Sequence, residues 1–348
     1  MRERVNLVPG TSWHQHQGAR ALGLGCAPLG NLYRQISDGE ARAVLDAAWD
    51  AGLRYYDTAP FYGFGLSERR VGDALRARPR HEFLLSSKVG RLLDPIARAD
   101  RSEMRMGFAS PMPFTPRFDY SYDGVMRSYE ASLHRLGLSR IDILLVHDIG
   151  RMTHGADNDR HFRDLAEGGY RALDELRAAG DISAVGLGVN EWEVCDAAMQ
   201  IGRFDCFLLA GRYTLLEQDP LDRFFPRCSE HGASIILGGA YNSGILATGT
   251  RGGGEMHYNY APAPPAIIAR TQRIEAIADR HGVTLAAAAL QFPLAHPVVA
   301  SVIAGVGSAG RVAETIALFQ EAIPAAFWED MKAHELIAAH TPVPRGGA

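Results

Sequence analysis

The chain has 348 residues, 47% hydrophobic and 22% charged, the composition of an ordinary globular protein. Its formal net charge of -4 supplies no basic face for nucleic acid. No run approaches the roughly 18 apolar residues that span a bilayer, and MRERVNLVPGTSWHQHQGAR at the start lacks the apolar segment of a secretory signal.

Short apolar runs alternate with helix-period segments along nearly the whole length. The predicted strands, in order, are Leu22–Cys26, Arg54–Asp57, Phe83–Lys88, Ile141–His147, Ala184–Gly188, Asp205–Leu209, Ser234–Leu237 and Val299–Ile303. Between them lie helical stretches such as ARAVLDAAWDAG, SYDGVMRSYEASLHRLG and GGYRALDELRAAG. In the last, Leu173 and Leu176 mark a buried face and Gly180 a stop. Eight strand–helix units with continuous apolar strands predict an α/β fold, a (β/α)8 TIM barrel with its site at the C-terminal rim of the strands. A doubly wound open sheet is the rival arrangement. No linker divides the chain, so 1–348 reads as one domain, with a core over about 20–320 and a C-terminal helix and tail over 321–348.

Three connections are too long for plain turns: Gly90–Tyr120, Gly150–His161, and TGTRGGGEMHYNYAPAPP at Thr248–Pro265. Each follows a strand, so in a barrel each belongs to the rim where pockets are built. The Gly-rich one is either disordered or, on the strength of Tyr258 and Tyr260, a pocket wall. The four cysteines (Cys26, Cys195, Cys206, Cys228) form no CxxC and read as reduced core thiols of a cytoplasmic protein. No metal motif is present, since the histidines of HELIAAH (His334–His340) are six apart where a zinc helix needs four.

The stretch YYDTAPFYG places Asp57 at the end of the second strand and Tyr62 in the loop above it. Lys88 ends the third strand in FLLSSKVG, and His147 the fourth in IDILLVHD. Taken singly, each has an ordinary reading as a turn former, a solvated lysine or a packed ring. In a barrel all four converge on one face. A phenol titrates near ~10, and moving it to ~7 requires about 4 kcal/mol of preference for the phenolate. One ammonium at ~4 Å supplies about that much at an effective dielectric of ~20. Lys88 beside Tyr62 thus makes a proton donor, Asp57 holds the lysine charged, and His147 hydrogen-bonds the reacting oxygen. Such a set interconverts alcohols and carbonyls and takes its redox equivalent from a cofactor.

In that combination DTAPFYG, SSKVG and LLVHD resemble the signature of the aldo-keto reductases, and the likeness runs from about Leu22 to Phe319. The resemblance implies that Tyr62 is the proton donor and acceptor, that Lys88 and Asp57 set its pKa, and that His147 orients substrate. It also implies NAD(P) lying across the barrel mouth. GVGSAG (Gly305–Gly310) matches G-x-G-x-x-G, but no further strand follows, which excludes a Rossmann unit. Glycines opening a helix still favour a phosphate. By the resemblance, Gly305, Gly307, Ser308, Arg311 and Glu314 hold the adenosine end. Thr315 stands where many relatives have asparagine, and a lysine near Gly305 is missing. NAD is therefore favoured over NADP, although Arg311 can still pair with a 2′-phosphate. Asn190 takes the carboxamide position. Ala210 and Gly238 replace the usual glutamine and stacking tyrosine, with Arg212 and Tyr213 nearby. Gly244, Ile245 and Leu246 match a pyrophosphate loop.

FDYSYDGVMRSYEASLHRLGL, VHDIG, GLGVNE and GGAYNSGILATG look like the branch of L-fucose or D-threo-aldose 1-dehydrogenases and pyridoxal 4-dehydrogenases. The branch implies oxidation of a sugar hemiacetal at C1 to a lactone, with pyridoxal 4-dehydrogenase or a general aldehyde reductase as alternatives. Tyr33, Phe61, Trp192, Tyr258 and Tyr260 are the substrate candidates, each of which also reads as packing. A cofactor-sensing regulatory subunit is the alternative of another class, and no partner-binding segment supports it. The sequence leaves the oligomeric state open.

Overall fold

Continuous apolar runs such as ILLVH can be buried on both faces only in a sheet with helices outside and a filled interior. In the computed structural model, which describes residues 21–97, 100 and 102–345, eight parallel strands close into a barrel. They are β1 (Leu22–Gly25), β2 (Tyr55–Asp57), β3 (Leu84–Val89), β4 (Ile143–His147), β5 (Ala184–Val189), β6 (Cys206–Ala210), β7 (Ser234–Gly238) and β8 (Val299–Gly305). Each pairs with its sequence neighbours, and β8 returns to β1 through Gly25 opposite Gly305. All eight predicted strands are present, and the open-sheet alternative falls because no edge is left. The reading of the N-terminal twenty residues and of the last three lies outside the described residues.

The period of two divides each strand between two cores. Leu85, Leu144, Val146 and Leu187 face the helices, while Tyr55, Leu84, Ile143, Leu145, Cys206 and Ile236 fill the barrel. Continuing the inward series one step up each strand puts Asp57 above Tyr55, Lys88 above Leu84 and Ser86, and His147 above Leu145. Small residues on β5 make room for them. A Cβ on Gly186 would meet Leu145 Cδ2 at 2.8 Å, and one on Gly188 would meet Lys88 Cε at 3.0 Å. All four cysteines are buried free thiols. Among the described residues no helix is long and apolar enough to cross a membrane.

The predicted helices form with their expected stops. The helix Asp38–Asp50 opens on a Ser37–Glu40 capping box, and Tyr122–Leu136 ends on Gly137 in the left-handed region. GGYRALDELRAAG begins its α-helix only at Tyr170, because Leu165–Gly169 is a π turn, and it stops at Gly180. The three long connections carry structure of their own. Gly90–Tyr120 contains an antiparallel pair, Arg91–Pro95 with Phe114–Phe118, and a smaller one, Met104–Arg105 with Phe108–Ala109. The connection Gly150–His161 is helical, over Arg151–His154 and again from Asn158. In the Gly-rich connection, His257–Tyr258 pairs with Ala261–Pro262, so the disordered reading does not hold for this hairpin.

Candidate active site

Asp57 and Lys88 come from adjacent strands, and both side chains are only 2% exposed. Lys88 Nζ donates to Asp57 Oδ2 at 2.7 Å, to Oδ1 at 2.9 Å and to the Thr58 carbonyl at 3.0 Å. Ser86 Oγ donates to Asp57 Oδ1 at 2.7 Å, so the carboxylate is held from two sides. Burial opposes the ammonium, but Asp57 and Tyr62 outweigh it and leave Lys88 more firmly protonated than a free lysine.

Tyr62 lies over this pair, with Lys88 Nζ 4.8 Å from its ring centroid. Burial pushes the phenol up, and Lys88 pulls it back only in part. The His147 ring meets Tyr62 edge-on at 5.9 Å. Burial, then Arg91 and Lys88, drive His147 well below the ordinary histidine range, so at neutral pH it is a neutral imidazole. Its Nδ1 is buried without a partner and its Nε2 lies 3.4 Å from Asp148 Oδ2. Tyr120 Oη donates to the His147 carbonyl at 2.8 Å, which fixes the strand end.

These groups open onto a cavity of about 460 Å³ lined by Tyr62, Lys88, His147, Tyr33, Phe61, Asn190 and Tyr260, among others. Asp57 lies behind Lys88 rather than on the wall. Tyr33 and Tyr260 are 60% and 63% exposed and stand at the mouth. The Tyr260 hydroxyl donates to Asn190 Oδ1 at 3.3 Å. Phe61 packs edge-on against Phe108 at 5.3 Å and carries the Arg91 guanidinium on its face at 4.0 Å.

Other predicted contacts lie elsewhere. Tyr213 is wholly buried between Phe225 and Phe292, packing beneath the turn rather than facing a ligand. Trp192 packs on Phe224, and the Tyr258 hydroxyl bonds Glu217, so neither lines the cavity. Gly238 ends β7 opposite Ala210, its carbonyl accepting from the Gly211 amide at 2.8 Å. The amides of Gly244 and Leu246 donate to the Tyr241 carbonyl, and Ile245 is buried. Two of the three expected phosphate donors are thus already engaged.

Gly305, Gly307, Ser308 and Arg311 line a second hollow of about 330 Å³ with Pro28, Leu32, Arg34 and Ile36. Ser308 is the N-cap of the helix Ala309–Gln320 and makes no side-chain capping bond. Arg311, Arg34 bonded to the Gly307 carbonyl, an uncommitted hydroxyl and a helix N-terminus suit the anionic adenosine end of a dinucleotide, so this part of the chain fits one. Arg34 was not anticipated, because only β1 closing against β8 brings Pro28–Ile36 beside GVGSAG. Glu314 is exposed, and Thr315 Oγ1 donates to the Arg311 carbonyl at 2.7 Å, so its hydroxyl serves its own helix. Arg91, Asp148, Leu32, Met106 and Phe108 of the cavity region were also missed. The one local signal was an aspartate directly after a strand-end histidine.

Comparison with known proteins agrees with this geometry. The profile of the aldo/keto reductase family matches residues 21–336. Pyridoxal 4-dehydrogenase of Microbacterium luteolum is 46% identical over 327 residues, 91% of this chain and 94% of that one. D-threo-aldose 1-dehydrogenase of a Pseudomonas species is 40% identical over 320 residues, again 91% and 94%. The aldo-keto reductase AKR11C1 from Bacillus halodurans, solved in its holo form, superposes with a TM-score of 0.69 at 27% identity, covering 92% of this chain and 93% of that one. With a closed parallel barrel, DTAPFYG above β2 and a lysine–aspartate pair beneath its tyrosine, the chain belongs to the aldo/keto reductase family.

Proposed function

We propose that the chain oxidises a small cyclic hemiacetal at its anomeric carbon to the lactone, an aldose of the L-fucose or D-threo type, with NAD as the preferred acceptor. The observation that carries this reading is the meeting of Tyr62, Lys88 and His147 in one cavity, backed by the buried Asp57. When bound, the nicotinamide supplies the hydride acceptor. The chain's own residues do the rest. Tyr62 exchanges the hydroxyl proton, Lys88 lowers the cost of the phenolate, and neutral His147 hydrogen-bonds the reacting oxygen and keeps a second cation out of the site.

Pyridoxal is the second reading, favoured by the 46% identical relative and by the aromatic wall of Phe61, Phe108 and Tyr33. It too closes on itself as a hemiacetal, so the proton chemistry is shared. The hollow beside Ser308 supports a dinucleotide, and the absence of a lysine near Gly305 supports NAD over NADP. Buried free thiols support a reducing compartment, the cytoplasm. The test is a panel of aldoses led by L-fucose, together with pyridoxal, each assayed with NAD and NADP by the absorbance of the reduced nicotinamide. Turnover of L-fucose at least tenfold above pyridoxal with NAD is expected. Turnover of pyridoxal alone replaces the first reading by the second, and binding of cofactor without turnover of any of them overturns both.

A further inference from the structure

Asp148 is a charged group of the cavity wall that the proton machinery does not use. It follows His147 directly, with φ 48 in the left-handed region that aspartate tolerates better than most residues. Its amide donates to the Gly188 carbonyl at 2.9 Å, which fixes the turn. The carboxylate is held on both oxygens. Arg91 bonds Oδ2, and Asn190 Nδ2 lies 3.4 Å from Oδ1. Arg91, 7% exposed, is clamped between Phe61 and Phe118, at 4.0 and 5.0 Å from their centroids, with its Nε buried and unpartnered. A buried ion pair of this kind is poor value for stability, because apolar residues of similar size do as well or better. An ionised carboxylate has about four acceptor directions, and the long contact to Asn190 leaves Oδ1 with capacity to spare beside the cavity.

We propose that Asp148 determines substrate specificity by accepting a hydrogen bond from a hydroxyl on the carbon next to the reacting carbon, with Arg91 as the positioning residue that keeps the carboxylate charged and aimed. His147 Nε2 lies 3.4 Å from Asp148 Oδ2, so the carboxylate stands directly beside the ring that meets the reacting oxygen, and its less engaged Oδ1 is left for the neighbouring hydroxyl. The inference rests on the proton-transfer site described above and deepens its aldose reading, since L-fucose and the D-threo aldoses carry such a hydroxyl, whereas the ring carbon that bears the aldehyde of pyridoxal carries none.

The test compares 2-hydroxypropanal with propanal, which differ by that single hydroxyl, as kcat/KM for reduction by the holoenzyme. The wild type is expected to prefer 2-hydroxypropanal by about ten- to hundredfold, the size of one hydrogen bond to a charged acceptor. In Asp148→Asn and Asp148→Glu the preference shrinks at least fivefold, chiefly through KM of the hydroxylated substrate. Because Asp148→Asn alone strands the Arg91 charge, the pair Arg91→Gln/Asp148→Asn is measured beside it, with near-UV circular dichroism confirming the fold. A wild type that treats the two aldehydes alike, or reduces neither, overturns the proposal. So does a loss of equal size on both substrates in the variants. Failure to oxidise L-fucose is a separate result, because these short aldehydes do not depend on the sugar ring.

Discussion

Tyr62 is half-buried on the cavity wall, yet desolvation makes its phenol resist ionisation, and a single ammonium offsets that only in part. The Lys88 charge favours the phenolate, but desolvation acts in the opposite direction and is the larger effect, so the phenol is not tuned to near 7. In oxidation Tyr62 must accept a proton, and the ionised fraction of a group with a raised pKa increases with pH without levelling off below that pKa. The oxidation kcat should therefore climb close to tenfold per pH unit between about pH 7 and 9, measured as initial rates at saturating substrate. A plateau near pH 7 sinks this account of Tyr62. Replacing Tyr62 with Phe should lower kcat by about 10²–10⁴, the usual share of a positioned acid or base. Lys88→Met has a different signature, because it also leaves Asp57 charged and unpaired in the barrel. About 3–5 kcal/mol of stability should be lost, read as a fall in the urea midpoint. Adding Asp57→Asn to that chain should restore much of the midpoint and none of the activity.

At the level of elements, the loop carrying Tyr62 is set by backbone packed on backbone. A Cβ on Gly30 would stand 2.5 Å from the Tyr62 carbonyl carbon, and Gly63 sits at φ 65 against Gly30. Gly30→Ala should therefore push the tyrosine off Lys88 and cut kcat/KM at least tenfold, while Tm moves by only a few degrees. A variant with wild-type kcat/KM argues that the loop is freely adjustable. This contact explains why some of the site was legible in the sequence and some was not. The strands could be read because most are short, nearly continuous apolar runs, and inward alternation then placed Asp57, Lys88 and His147 together. The rim could not be read the same way. Residues 150–161 hold five glycine, asparagine or aspartate positions, yet fold as short helical turns that lead into the π turn at Leu165. Tyr213 looked like a ring beside the cofactor, but Phe225 from the helix Phe225–His231 and Phe292 from far along the chain draw it into the core. Arg91 and Arg34 are single arginines whose partners are fixed only by tertiary structure.

Across the whole molecule, burial holds several histidines neutral. His147 is driven well below 6.5, His154 to about 4 and His161 below its ordinary value, each first by burial. The unfolded chain takes up protons at these positions near pH 6.5 and the folded one does not. Their contribution is intact above about 6.5 and is lost as pH falls toward 4. The urea midpoint should thus drop between pH 7 and pH 5, and His154→Asn should flatten the slope. An equal midpoint at both pH values contradicts the assignment. His154 Nε2 donates to Tyr120 Oη at 2.9 Å, and that hydroxyl in turn donates to the His147 carbonyl, so acid unfolding should begin near the fourth strand.

The filled interior of the barrel has a kinetic corollary. Tyr55, Leu84, Leu145 and Ile236 shut the floor beneath Lys88, so among the described residues the reaction chamber opens upward, between Tyr33 and Tyr260. Spent product and fresh reactant must pass through the same doorway in turn. Accumulating product should then slow the enzyme by competing for entry, and a crowded exit rather than bond-breaking would cap turnover at high flux.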